Sequence, residues 1–279
     1  MNFKPSLLAY AKALDERSFS YFFYRQILHI LALCVAVVST LLVIETYLVY
    51  TLATVAMFIE FLAWCFRYLG ERNHRKSRKL NILGLFYDAF GKLSDNSIEV
   101  VDSLNVDSRI QKRAEQLDKE WEKSGGFFAS NASVGVFRLL ENLQESAFFS
   151  KHLCEKASQY IFWFLGILFT GILITFFVLL FDGSVWFPRV ITLLFVFVIA
   201  DELSFGFAWW EAANHFADIL KRLNVILKGN PDCLEVILSI LCDYQVAAVV
   251  APPVPRYVYF LHRDKLNADW DKIKQDREP

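Results

Sequence analysis

VITLLFVFVIADELSFGFAWW, residues 190–210, is the stretch on which the reading of this chain turns. It is apolar over roughly the 20 residues that a helix rising about 1.5 Å per residue needs to cross a bilayer. Asp201 and Glu202 nevertheless lie near its middle. A carboxylate at that depth costs on the order of 2.5–3.5 kcal/mol on insertion scales, so it must face a bundle interior or water rather than lipid. Neighbouring residues on a helix point about 100° apart, so the two acids need different partners.

Composition places the chain in the same class. Of its 279 residues, 55% are hydrophobic and 16% aromatic, including 27 Phe, above the roughly 45–50% apolar content of soluble domains. The net charge of −1 hides a segregation of long apolar runs from dense mixed-charge blocks. With no basic excess, direct nucleic-acid binding is not expected. Cys34, Cys65, Cys154, Cys233 and Cys242 form no CxxC pair and read as small buried apolar residues. The charged N-terminus lacks signal-peptide character, so the first span is expected to be retained.

Five segments follow. Residues 1–26 form an amphipathic N-terminal segment, with Leu7, Leu8, Ala11 and Leu14 on one face and aromatics from Phe19 to Tyr24. It either lies on the membrane surface or packs on the cytosolic part. Residues 27–69 form the first transmembrane hairpin, Ile27–Ile44 and Tyr47–Phe66 around a tight turn. Glu60 lies in its second span, Ala32 and Ala36 offer a close-packing face, and His29 sits at the rim. Arg67, Arg72, Arg75, Lys76, Arg78 and Lys79 then form a basic membrane-interface block. Such a block marks the cytoplasmic side and attracts anionic lipid.

Residues 70–159 read as a cytosolic helical insert. One helix ends near Gly91, SDNSIEVVDSL (94–104) opens with capping residues, and Ile110, Ala114, Leu117 and Trp121 stripe the next helix before Gly125-Gly126. Leu139, Leu140, Leu143, Ala147, Phe148 and Leu153 form a further stripe. Arg138 can pair with Glu141 one turn on, while Glu141 and Glu145 repel and call for another segment. His152 and Cys154 point about 200° apart and cannot act together.

Residues 160–210 form the second transmembrane hairpin, in which Gly166, Thr170 and Gly171 suit close packing and Asp201, Ser204, Ala208, Glu211 and His215 share a stripe. Residues 211–279 form a cytosolic C-terminal helical region. In it Gly229-Asn230-Pro231 breaks the chain, and Leu234–Val250 is a buried helix rather than a fifth span. Tyr257, Phe260, Leu261 and Trp270 of the last helix rest on the membrane or on the bundle. At a constant offset between the hairpins, Glu60 falls on Asp201 and His74 on His215, a hint of duplication.

The expected fold is an all-α membrane protein with four transmembrane helices in two hairpins and both termini cytoplasmic. No phosphate-binding loop, HExxH or GxSxG motif is present, so no enzyme, cofactor or metal is expected. Glu60, Asp201, Glu202 and Ser204 are the intramembrane polar or gating candidates. They line or gate a polar path, or they specify helix register inside the bundle.

The block Arg67–Lys79, the stretch RLLENLQESAFF (138–149) and the tail PPVPRYVYFLHRDKLN (252–267) carry a resemblance. With the two-hairpin layout, they resemble four-transmembrane effector proteins of bacterial nucleotide-second-messenger anti-phage systems. The resemblance implies a homo-oligomer in the lipid bilayer of the cell inner membrane. A nucleotide signal or a cytosolic protein would trigger it to permeabilise that membrane, as a pore or by disruption. Two other readings stand beside it: an ion- or proton-coupled channel or transporter subunit using Glu60 and Asp201, and a structural membrane scaffold.

Overall fold

The computed structural model describes residues 6–41, 46–91, 107–124, 127–128, 130, 132–180, 187–229 and 234–275. SDNSIEVVDSL, Glu45, Gly125-Gly126, Asn230-Pro231 and Cys233 lie outside them. Among the described residues there are seven helices and no strand. They are α1 (Leu7–Leu41), α2 (Thr46–Phe90), α3 (Ser108–Ser124), α4 (Val136–Leu180), α5 (Phe187–Lys228), α6 (Leu234–Val250) and α7 (Arg256–Gln275). The chain is all-α, as its periodicity predicts.

Among the described residues, two helices are long and apolar enough to cross a membrane, α1 over Leu7–Val35 and α2 over Tyr50–Phe90. Their most apolar windows are only 22% and 17% buried, unlike a core helix of a soluble domain. α1 packs along α2 and α4 along α5. All four run without interruption through the boundaries drawn at residues 26, 69, 159 and 210. A helix satisfies its backbone hydrogen bonds internally, so a change of hydropathy along the chain does not by itself end it. At 45 residues, α2 and α4 are each about 68 Å long.

Local signals set the helix ends. Ser6 caps α1 by accepting from Ala9 N at 3.2 Å, and Asp107 caps α3 by accepting from Arg109 N at 3.2 Å. α2 ends at Gly91, whose φ of 69° is the left-handed conformation that suits glycine after a helix.

The N-terminal stripe does not lie on a membrane surface. Leu7, Ala11 and Leu14 are buried with Leu80 of α2 and with Ile110, Ala114 and Leu117 of α3. Close approach is bought by glycines other than those singled out. A Cβ on Gly84 would stand 2.6 Å from Leu8 Cδ2, and one on Gly206 would stand 2.8 Å from Ile161 Cγ2. A Cβ on Gly166 or Gly171 would meet nothing within 4 Å among the described residues, and Thr170 is exposed. α4 instead uses Ile161 and Phe162 to fill the notch at Gly206.

The main core joins the expected stripe of α4 to α5 and α6: Leu139, Leu140, Leu143 and Ala147 pack with Phe216, Leu223, Ile240 and Tyr244. Arg138 pairs with Asp88 of α2 rather than with Glu141, through bonds of 2.9 and 3.0 Å that Asn142 reinforces at 2.7 Å. Glu141 accepts from Ser130 Oγ. α6 buries only one face, leaving Val246 and Val250 exposed, and α5 holds it through Arg222 to Asp243 and Ser239. α7 divides its large apolar side chains: Trp270 packs on Phe148, while Tyr257, Phe260 and Leu261 are exposed. Cys154 is buried as expected and burial pushes its thiol up to about 12, whereas Cys34 and Cys242 are exposed. His152 turns to Phe148 O, 2.9 Å away.

Candidate functional site

Three helices bring charge to one place. Arg25 and His29 stand one turn apart on α1, Glu60 and Arg67 two turns apart on α2, and Asp201 and Phe205 one turn apart on α5. Ala32, Ala56 and Ala63 are each at most 2% exposed, which keeps α1 and α2 close enough for long polar side chains to meet.

Asp201 is the hub. Its carboxylate accepts from Arg25 and from Arg67, and it stands 3.6 Å from His29 Nε2. Glu202, 6% exposed, accepts from the same Arg25 nitrogen, Nη2, at 2.9 Å. One guanidinium therefore answers both acids although they leave the helix in different directions. His29 Nδ1 is 2.8 Å from Glu60 Oε2, so each nitrogen of the ring faces a carboxylate. Arg67 also donates to Glu71 at 2.9 Å. Both guanidiniums lie against the Phe205 ring, 4.4 and 5.0 Å from its centroid, where the face of the π-system attracts cations.

Glu60, Asp201 and Glu202 thus meet in one cluster, but through cations rather than through one another. Arg25 carries no signal of its own in the sequence, and His29 there sits at the rim of the first span. Their one-turn spacing puts them on one face of α1, but nothing along the chain says which helices that face meets. Ser204 stays outside: its hydroxyl donates to Asp201 O at 2.6 Å, and it lines a crevice with Arg67, Glu71 and His74. The basic block also divides. Arg67 joins the cluster, Arg78 stands beside His74, Lys76 is half-buried, and Arg72, Arg75 and Lys79 are exposed.

The cluster stands at the foot of the apolar segments, not at their middle. At 1.5 Å per residue, Asp201 lies about 21 Å along α5 from Phe187, Arg25 about 24 Å from Leu41, and Arg67 about 32 Å from Thr46. The apolar run beyond Asp201 misleads because Phe205 and Trp209 are core residues, 6% and 4% exposed. Trp209 Nε1 donates to Pro252 O at 3.1 Å.

Chemically the arrangement is an ionic tie between α1, α2 and α5. His29, Asp201 and Glu202 offer ligand atoms within 4.8 Å of one another, the spacing of a metal site. The Arg25 guanidinium already lies between the two acids and supplies the cation there. No protein-family model matches this chain, and no curated protein or solved structure does so either.

Proposed function

We propose that this chain is a multi-pass inner-membrane effector of the anti-phage kind, with the ionic cluster as the latch of its membrane bundle. In this reading both hairpins cross the bilayer, and both chain ends and the 70–159 insert are cytoplasmic. Copies of the chain assemble, and a nucleotide signal or cytosolic protein acting on the helical part releases the latch and permeabilises the membrane. The observation that carries the reading is the place of the cluster. It ties α1, α2 and α5 where each unbroken rod passes from an apolar half to a polar one. A tilt of the polar ends then works directly on the tie. Exposed Tyr24, Trp64, Tyr68, Trp163 and Trp210 near that level suit a membrane–water boundary.

The test is expression of wild type and Asp201→Asn at matched membrane levels, read with a potential-sensitive dye. Loss of the hub charge is expected to depolarise cells without a trigger, while wild type stays silent. If inserted Asp201→Asn leaves the potential intact, the latch reading fails.

The contact of His29 with both Glu60 and Asp201 favours a second reading, proton or ion transfer through that chain of titratable groups. It requires Glu60→Gln to abolish flux in proteoliposomes while assembly survives. A scaffold role remains if both substitutions change stability alone.

A further inference from the structure

A second charged site lies lower on α1, where α1, α3 and α7 enclose a basin of about 400 Å³. Four arginines line it: Arg17 from α1, Arg109 and Arg113 from α3, and Arg256 from α7. The acids nearby are already engaged. Glu16 is held by Arg113 at 2.8 and 3.1 Å and approached by Arg256 at 3.6 Å. Asp107 takes Arg17 at 2.8 Å, and Glu120, 63% exposed, stands 3.7 Å from Arg113. Arg109 has no side-chain hydrogen bond or ion pair among the described residues. Positive charge is therefore in excess, and planar guanidinium forks from three helices converge on one space.

We infer that this basin binds a phosphate group and thereby joins α1, α3 and α7. Arginine forks match phosphate oxygens in pairs, and a group accepting from Arg109 and Arg256 together links two helices that share no other charged contact among the described residues. Tyr21 and Tyr24 form the basin's aromatic wall, and Phe260, 58% exposed, lies against Arg256 at 5.6 Å. That wall continues toward the apolar half, so the phosphate can belong to a lipid headgroup or to a soluble phosphate ester. The inference extends the proposed function, and its soluble arm does not depend on that reading.

The full-length protein is melted in detergent while inorganic phosphate is titrated against chloride at equal ionic strength. It is also melted in nanodiscs of phosphatidylcholine with and without phosphatidylglycerol. At about a hundredfold excess over Kd, phosphate is expected to raise Tm by about 5 °C. Saturable stabilisation by phosphate assigns a soluble source, and stabilisation by phosphatidylglycerol alone assigns a lipid headgroup. Either shift is expected to vanish in the double variant Arg109→Gln/Arg256→Gln and to persist in Arg263→Gln, which removes an exposed arginine elsewhere on α7. No shift of wild type in either arm, or an equal shift in the double variant, overturns the inference.

Discussion

Two of the buried polar contacts that cross-tie the described helices are built differently. Around Asp201 the ties are ionic, with Arg25 at 2% exposure between two carboxylates. Lower down, His74 sits between Asp15 of α1 at 3.2 Å and the Ala251 carbonyl at 2.9 Å. There Ser77 and Ser18 donate to the carbonyls of Ala11 and Gly70, each at 2.7 Å. Removing one partner from a buried ion pair strands a charge, whereas removing a hydroxyl forfeits one hydrogen bond. The upper contact therefore gathers two acids on one guanidinium, while the lower one rivets α1, α2 and the α6–α7 link together mainly through hydrogen bonds to backbone carbonyls.

The sharpest way to break this contrast is Arg25→Met, which strands Glu202 while Asp201 keeps Arg67 and His29, and is expected to destabilise the bundle by about 3–5 kcal/mol. Adding Glu202→Leu is expected to restore much of that loss in detergent melts. If Arg25→Met alone costs nothing, the upper tie is not ionic in its energetics. A smaller effect belongs to Gly206→Ala, whose new Cβ meets Ile161: about 1–3 kcal/mol is lost, while Gly166→Ala is neutral or slightly stabilising. Ser77→Ala, on the riveting side, is expected to cost about 1 kcal/mol in the same melts. The smallest effect is chemical: maleimide is expected to label exposed Cys242 in the folded protein and to leave Cys154 unmodified until unfolding. Labelling of native Cys154 would mean that the α4–α5 core opens.

Matched positions of the two hairpins make a related point. Glu60 and Asp201 converge on His29, while His74 is 3% exposed and the His215 side chain is 61% exposed and stands 3.8 Å from Glu211. Equal register along the chain does not produce equal surroundings. The same distinction runs through the candidate site. That Asp201 and Glu202 need polar company was legible, because an acid in an apolar run has few alternatives. That the company is Arg25 was not, because the residues are 176 positions apart and a rotation of α1 by one residue would aim Arg25 elsewhere.

What the sequence by itself determined is therefore local: the all-helical class, the stripe of Ile110, Ala114 and Leu117, the end of α2 at Gly91 and the division into apolar and charged stretches. Each follows from spacing over one or two turns, or from the conformational freedom of a single residue. Only the tertiary structure decided that the four long helices run unbroken through those stretches, that Gly206 rather than Gly166 marks a close crossing, and that three acids share two arginines and a histidine. Those outcomes depend on how rods rotate and slide against one another, which hydropathy along one rod does not encode.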